Sequence, residues 1–481
     1  MDNKNNNRVY LLYPPISKKE RYSSDLGSAG GEQIPLGIFC LAAYLREKGY
    51  EMAVTDGESE KLTTKQITRQ IKKFDPFVVG ISSTTVAFHR ALEMAKLIKK
   101  KFPKVIILIG GPHVTSNYKD ALSFGVFDYG VLREGEITTV ELLKTIKGKG
   151  KIEEVKGIAY KKDGKVIVNE PREYIKNLDE LPFPAYDLIE DINLYTPDLS
   201  NYMSTPVVNI MTSRGCPNQC TFCDRAVFGQ FYREMSAERV VELIKYLVER
   251  YKVREIDFVD DTFLINKLRF KKIFRLLKEE GIKFYWTCTS RVNVVDYEIL
   301  KLAKETGCWH IAFGIESGDE GILKLIKKNI TMEQVRKALG WCKELGIKSK
   351  GYFIVGHPGD TLETINKTIK LAYNLPLDDI LVTINTPIPG SPQYYFIKEY
   401  GDFDESDWSK FNCWRPVFIP KGLTKEILLK KQREMYRKFY VRPRIIWRYL
   451  RGTLGRGGMK RLKSLMGAAK YLMSKPNLEG L

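Results

Sequence analysis

Cys216, Cys220 and Cys223 stand in the run Arg214-Gly-Cys-Pro-Asn-Gln-Cys-Thr-Phe-Cys-Asp224, a C-x3-C-x2-C spacing. Iron–sulfur clusters are held by Cys thiolates, so three thiolates on one short loop can hold three corners of a [4Fe–4S] cluster. The fourth iron is then open to bind a substrate or cofactor, which a four-cysteine electron carrier does not allow. Gly215 and Pro217 frame the first cysteine at the end of a strand-like run. Cys40, Cys288, Cys308, Cys342 and Cys413 are scattered through the rest of the chain. They offer no second tight ligand set and read as buried, inert thiols.

The chain has 481 residues, enough for two or three cores, and is 43% hydrophobic and 28% charged. Eight cysteines in that length do not make a secreted disulfide scaffold; with the cysteine loop they point to a reducing interior, and the expected location is cytoplasmic. The opening Met-Asp-Asn-Lys-Asn-Asn-Asn has no apolar core and does not read as a signal peptide. No apolar run is long enough to suggest a membrane-spanning helix. The net charge of +20 is uneven: Lys430–Leu481 carries 15 Lys and Arg against Glu434 and Glu479. A tail of that kind seeks a polyanion, nucleic acid or an anionic membrane, unless it is a basic helical face packed on the body of the protein.

Elements that would position the cysteines follow from periodicity. Apolar runs at Val9–Leu12, Met52–Thr55, Phe77–Ser82, Val105–Ile109 and Val126–Leu132 alternate with helical stretches such as Gly37–Lys48, Thr64–Lys73 and Val86–Lys101. Short buried strands alternating with helices make a doubly wound, mostly parallel, Rossmann-like sheet over 1–150. Ligands of such sheets bind at the carboxyl ends of the strands. Those ends carry Pro14-Pro15, Asp56-Gly57, Ser83-Thr84-Thr85, Gly110-Gly111-Pro112-His113 and Glu134-Gly135-Glu136. Each alone is plain turn chemistry; together they suggest a ligand crevice. Residues 151–200 read as a linker with a hairpin at Asp163-Gly164, followed by Pro182, Pro184 and Pro197.

From 201 to 400 the alternation lengthens. Strands are expected at Val207–Thr212, Glu255–Val259, Phe284–Thr289, His310–Ile315, Gly351–Val355 and Ile380–Asn385. Helices are expected at Ala237–Tyr251, Lys267–Glu280, Tyr297–Thr306, Met332–Leu345 and Leu362–Tyr373, the first capped by Ser236. Six strand–helix units suggest a (β/α)6 partial TIM barrel, whose chemistry sits at the carboxyl ends of its strands. The cysteine loop follows the first of them. Residues 401–481 are expected to form a basic helical C-terminal region.

The cysteine loop, with Phe222 inside it, resembles the radical S-adenosylmethionine (radical SAM) superfamily. Further runs are similar to its subgroup with an N-terminal cobalamin (B12)-binding domain, which contains the anaerobic magnesium-protoporphyrin cyclases and the class B radical SAM methyltransferases. They are Val259-Asp-Asp-Thr-Phe263, Ser290-Arg291, Phe313-Gly-Ile-Glu-Ser-Gly318, Ile354-Val-Gly-His-Pro-Gly-Asp-Thr361, Thr386-Pro-Ile-Pro-Gly-Ser-Pro392, Pro35-Leu-Gly37, Gly110-Gly-Pro-His113 and Glu134-Gly-Glu136. The resemblance covers roughly 8–415. The Asp-x-His-x-x-Gly run of histidine-ligated cobalamin proteins is absent, and Arg133 stands where the family often has glycine.

The resemblance implies roles. Cys216, Cys220 and Cys223 ligate three irons, and SAM chelates the fourth. Reductive cleavage of SAM yields a 5′-deoxyadenosyl radical that takes hydrogen from an unactivated carbon. Arg291 suits the SAM carboxylate, Glu316 and Ser317 its amine or ribose, Phe222 its adenine, and Gly356 and Pro358 a close backbone approach. Asp260 and Asp261 orient the SAM amine or a substrate group, or else cap a strand end. Cobalamin falls to Pro14, Pro15, Gly37, Ser83, Thr84, Thr85, Gly110, Gly111, His113, Glu134, Gly135 and Glu136. The implied activity is anaerobic C-methylation, with oxidative cyclisation or another bond-forming radical reaction, on a lipid or tetrapyrrole, as the alternative. A tRNA modifier of the methylthio-transferring kind would carry a second N-terminal cysteine trio, and only Cys40 is there, so nucleic acid is not the expected partner. A cluster- or cobalamin-based sensor would need an output module. The expected partners are a small-molecule or lipid substrate and a one-electron reductant such as flavodoxin or ferredoxin. Peripheral contact between the basic tail and an anionic membrane is the remaining partner expectation.

Overall fold

The computed structural model describes residues 7–22, 31–197 and 201–447. Its first sheet is built from β1 (Arg8–Tyr13), β2 (Glu51–Asp56), β3 (Val78–Ser82), β4 (Ile106–Gly110), β5 (Tyr129–Val131), β6 (Ile158–Lys162) and β7 (Lys165–Val168). The order is β2-β1-β3-β4-β5-β6-β7, with the first five strands parallel and β6 and β7 antiparallel. The hairpin expected in a linker thus extends the first sheet: Tyr129 pairs Tyr160 and Gly130 pairs Ala159. Its turn is Asp163-Gly164, both at positive φ (50° and 76°), as a tight hairpin requires. The rest of the connector is irregular but packed, with Leu178, Leu181 and Tyr186 buried.

The second sheet contains β8 (Val207–Ile210), β11 (Glu255–Phe258), β12 (Tyr285–Ser290), β13 (Cys308–Glu316), β14 (Lys348–Val355) and β15 (Asp379–Ile384), all parallel and in sequential order. That is the expected six-stranded partial barrel. Between β8 and β11 lie β9 (Ser213–Arg214) and β10 (Arg233–Glu234), an antiparallel stub whose two strands close the cysteine loop at its base. The helices between the strands start where capping residues allow: the Ser236 side chain accepts from Arg239 N, Asp296 from Ile299 N, and Thr331 from Gln334 N. In β14 and β15, Phe353, Val355, Val382 and Ile384 join the core, while Tyr352, Ile354, Leu381 and Thr383 stay partly exposed. Strand alternation puts the second set on the lumen side.

The C-terminal region departs from a purely helical one. It opens with an antiparallel pair, β16 (Gly401–Phe403) and β17 (Phe418–Pro420). The basic helix Lys425–Tyr440 then lies against the barrel, burying Leu428, Leu429, Met435, Tyr436 and Phe439. Val382 N donates to Tyr436 Oη at 2.8 Å, and Gln432 Nε2 donates to Val382 O at 2.8 Å. The packed-face reading therefore holds for this helix; residues 448–481, most of the basic tail, lie outside the described residues.

Sheet and barrel meet through side chain–backbone bonds. Asn209, on β8, accepts from Ile34 N at 2.9 Å and donates to Ile34 O at 3.0 Å. Asn209→Ala leaves both Ile34 groups unpaired in a buried seam. It is expected to lower stability by about 1–3 kcal/mol, read by chemical denaturation of the iron-free chain.

Candidate active site

The cysteine loop is tied at its base by the β9–β10 stub and folded over a left-handed Gly215 (φ 86°), where a Cβ would run into the carbonyl oxygen of Phe231. Cys220 is buried, Cys216 half-buried and Cys223 exposed. Asn218 Nδ2 donates to Cys216 Sγ at 3.3 Å, and Arg291 Nη1 to Cys220 Sγ at 3.3 Å. The hydrogen bond with Cys223 pulls the Cys220 thiol below its ordinary value, and Lys328 and Arg291 add to this against burial. The same bond pushes Cys223 upward. Among the described residues no three His, Cys, Asp or Glu side chains are placed to hold a single metal ion. A cluster asks instead for thiolates set apart, one per iron. Three thiols on one loop beside two buried cations fit that donor set.

The barrel strand ends supply the surroundings. Arg291, at the end of β12, also binds Asn293 Oδ1 at 3.2 Å and the Lys328 carbonyl. Glu316 ends β13 in a left-handed conformation (φ 69°), and the register between β13 and β14 shifts there. Its carboxylate accepts from Lys328 Nζ at 2.8 Å, both side chains being buried. Gly314 lies beneath them, and a Cβ there would push on the ends of the Glu316 and Lys328 side chains. Lys328 lies over the Phe222 ring at 5.7 Å, and the Phe222 ring is 5.8 Å from that of His357. His357 is fully buried with neither ring nitrogen partnered, and burial, then Lys328, pushes it down to about 3. Buried donors and acceptors without partners mark a place where a ligand's polar groups fit. Gly356 is left-handed (φ 87°), and its amide and that of His357 donate to Asp360.

Two expected residues turn away. Asp260 is buried and accepts from Thr212 N and Oγ1 and from Ser213 Oγ, holding the start of the cysteine loop instead of a ligand. Its neighbour Asp261 is the one that opens on the cavity. Ser317 is buried against Thr368, with 3.2 Å between the hydroxyls, and fixes a turn. Sequence reading missed Lys328 as a site residue. A buried lysine looks like any surface lysine in a sequence, and His357 offered only its place in the Gly-x-Pro-Gly run.

A cavity of about 790 Å³ lies between the carboxyl ends of the first sheet and the mouth of the barrel. Of the crevice residues expected from sequence, Gly37, Thr84, Gly110, Gly111, Glu134, Gly135 and Glu136 line it; Pro14, Pro15, Ser83, Thr85 and His113 do not. His113 is corrected outright: its ring packs on Phe88 at 4.3 Å and edge-on to Trp408 at 5.3 Å, and burial pushes it down to about 3. Glu134 and Glu136 face Arg214 and Arg233 rather than open space. Arg133 is left-handed (φ 61°), the conformation that favours glycine at this position, and stacks over Tyr174 at 5.1 Å. Gly111 (φ 98°) brings backbone against Ser83, since a Cβ would meet Ser83 O at 2.7 Å. Thr84 and Thr139 line the cavity with buried hydroxyls that have no partner. Bare glycine backbone and orphaned hydroxyls at a doubly wound strand edge fit a large polar-rimmed cofactor such as cobalamin.

Gly215→Ala forces a left-handed alanine, roughly 1–2 kcal/mol, together with a carbonyl clash. We expect the variant to keep its far-ultraviolet circular dichroism and lose most of its iron on anaerobic reconstitution, measured by iron analysis.

The chain matches the Radical SAM superfamily over residues 210–372 and the B12 binding domain over residues 23–143. It is 37% identical over 441 residues to an uncharacterized methyltransferase of Pyrococcus horikoshii, covering 91% of this chain and 94% of that one. It is 28% identical over 444 residues to the anaerobic magnesium-protoporphyrin IX monomethyl ester cyclase of Rubrivivax gelatinosus, covering 90% of this chain and 77% of that one. The solved cobalamin-dependent S-adenosylmethionine radical enzyme OxsB, with aqua-cobalamin and S-adenosylmethionine bound, shares the fold at a TM-score of 0.75 and 18% identity, over 97% of this chain and 71% of that one. With the sheet, the barrel and the cysteine loop in place, this chain belongs to the B12-binding radical SAM enzymes.

Proposed function

We propose that the protein methylates an unactivated carbon. One observation carries the reading: the crevice of the first sheet and the barrel mouth open on a single cavity, with Gly110, Gly111 and Gly135 on one side and Asp224, Val259 and Asp261 on the other. When bound, the cluster with SAM supplies a carbon-centred radical and the cobalamin supplies the methyl group. Cys216, Cys220 and Cys223 would hold the cluster, and Arg291, Lys328 and Glu316 the polar end of SAM beside it. Glu316 and Lys328 fix each other through their 2.8 Å bridge, so a bound amine and carboxylate meet groups already aimed. Phe222 and His357 would flank the adenine and exclude water.

The substrate belongs in the lumen. Its accessible surface is mixed: Tyr352, Ile354 and Leu381 are apolar or aromatic, while Asp257, Thr289 and Thr383 are polar. Asp257 is held by Thr287 Oγ1 at 2.8 Å and Gln33 Nε2 at 3.0 Å. That lining suits a molecule with both apolar and polar parts, as a lipid or tetrapyrrole has. A one-electron donor such as flavodoxin or ferredoxin completes the reaction.

Oxidative cyclisation is the second reading, favoured by the cyclase relative. Anaerobic turnover with SAM, reductant, hydroxocobalamin and cell-extract metabolites separates the two. Methylation is expected to yield S-adenosylhomocysteine together with 5′-deoxyadenosine and a methylated product in mass spectra; 5′-deoxyadenosine without S-adenosylhomocysteine sinks it. Replacing all three loop cysteines by alanine is expected to reduce 5′-deoxyadenosine to background.

A lipid substrate accords with one surface. After the packed helix, Val441, Ile446 and Trp447 are 56%, 45% and 59% exposed, beside the exposed Arg444; Arg442 between them is bonded to the Tyr373, Leu375 and Leu377 carbonyls. Exposed apolar groups among basic ones suit the face of an anionic bilayer. No helix among the described residues is long and apolar enough to cross a membrane. The full chain is expected to co-sediment with phosphatidylserine-containing vesicles, less so at high salt, and a chain ending at residue 440 is expected to stay in solution.

A further inference from the structure

Arg214 and Arg233 are register partners across the β9–β10 stub, one just before the cysteine loop and one just after it. Like charges opposite each other on a ladder repel, so this closure needs a counter-charge. Glu134 provides it. Its Oε1 accepts from Nη1 of Arg214 and from Nη1 of Arg233, both at 2.9 Å. Its Oε2 accepts from Arg233 Nη1 at 2.9 Å and from Ile175 N at 2.8 Å. Glu136 takes the second arm of Arg214 at 2.6 Å. All four side chains are less than a tenth exposed.

The two carboxylates belong to the other sheet. They flank Gly135 at the start of the helix Gly135–Ile146, and Gly135 lines the cavity. Both ends of the loop that carries Cys216, Cys220 and Cys223 are therefore fastened to the segment that forms the floor of the crevice. A buried ion set of this kind has few alternative arrangements, since any carboxylate that withdraws leaves an arginine buried without its partner.

We propose that Glu134 and Glu136 are positioning residues that couple occupancy of the crevice to the geometry of the cysteine loop. A group seated against Gly135 sets the start of the helix, and the two carboxylates carry that setting to both ends of the loop. The inference rests on the reading that cobalamin occupies the crevice. Coupling of binding is reciprocal, so an assembled cluster changes cobalamin affinity by the factor by which cobalamin changes cluster binding.

Hydroxocobalamin is titrated into the full-length protein with and without its reconstituted cluster, for the native chain and for Glu134→Gln and Glu136→Gln. The native affinities are expected to differ about fivefold or more between the two forms. In the variants the ratio is expected to fall towards one, and Glu136→Asp, which restores the charge, is expected to recover part of it. A native ratio of one, or variants that keep the native ratio, overturns the coupling. Should Glu134→Gln fail to fold, Glu136→Gln, which leaves the double bridge of Glu134 intact, decides the matter alone. No cobalamin bound by either native form removes the reading of the crevice itself; cobalamin bound without coupling removes only this inference.

Discussion

Everything catalytic in this chain hangs from a loop whose two ends carry arginines that would repel each other without a carboxylate between them. That constraint explains why the sheet and the barrel form one site. Burying two guanidinium and two carboxylate groups is expensive, and hydrophobic replacements would often serve stability as well or better. What the ion set adds is specificity. Burial works against the charge on Arg214, but Glu136, Cys40 and Glu134 outweigh it and hold the guanidinium protonated above its ordinary value. The bridges hold the stub with Arg214 opposite Arg233, and Asp224, Arg225, Val227 and Phe228 at the end of the cysteine loop reach the crevice.

A second tie lies deeper. Asp260, at the end of β11, accepts from Thr212 and Ser213 just upstream of the loop, and Arg269 Nη2 donates to Thr212 Oγ1 at 2.7 Å. The path from β8 into the cysteines is thus held from the barrel side by Asp260 and from the crevice side by Glu134. A radical site needs this kind of double support, since a small displacement of the reacting atoms exposes the wrong C–H bond.

Much of this was legible in the sequence. The strand–helix alternation gave the parallel strands of both sheets but not that the hairpin extends the first, and helices Ala237–Tyr251 and Met332–Leu345 have the bounds that their apolar spacing and caps predict. The cysteine spacing gave the cluster loop. What failed was orientation at single residues. Asp260 and Asp261 are adjacent acids at one strand end, and nothing local says which of them turns inward; the hydroxyls of Thr212 and Ser213, far away in sequence, decide it. His113 looked like a crevice residue because it follows Gly110-Gly111, yet the helix that begins at Pro112 turns its ring towards Phe88 and Trp408. Glu134 and Glu136 line the cavity in which the sequence put them, but their ion partners Arg214 and Arg233 lie far away in the chain and were not foreseen.

Backbone conformation marks the same places independently. Left-handed residues other than glycine are uncommon, and they persist where the surroundings over-determine them. Glu316 is one, and Lys327 and Asn329 (φ 52° and 51°) are two more, immediately on either side of Lys328. Lys328 is thus carried on a turn strained on both flanks and delivered to a carboxylate that is itself strained. The Glu316 bridge and the Arg291 contact with the Lys328 carbonyl hold it there. The positive charge is therefore fixed next to Cys220 before any cofactor arrives, so the site is organised by its own ion pair in advance of the anionic groups it is suited to receive.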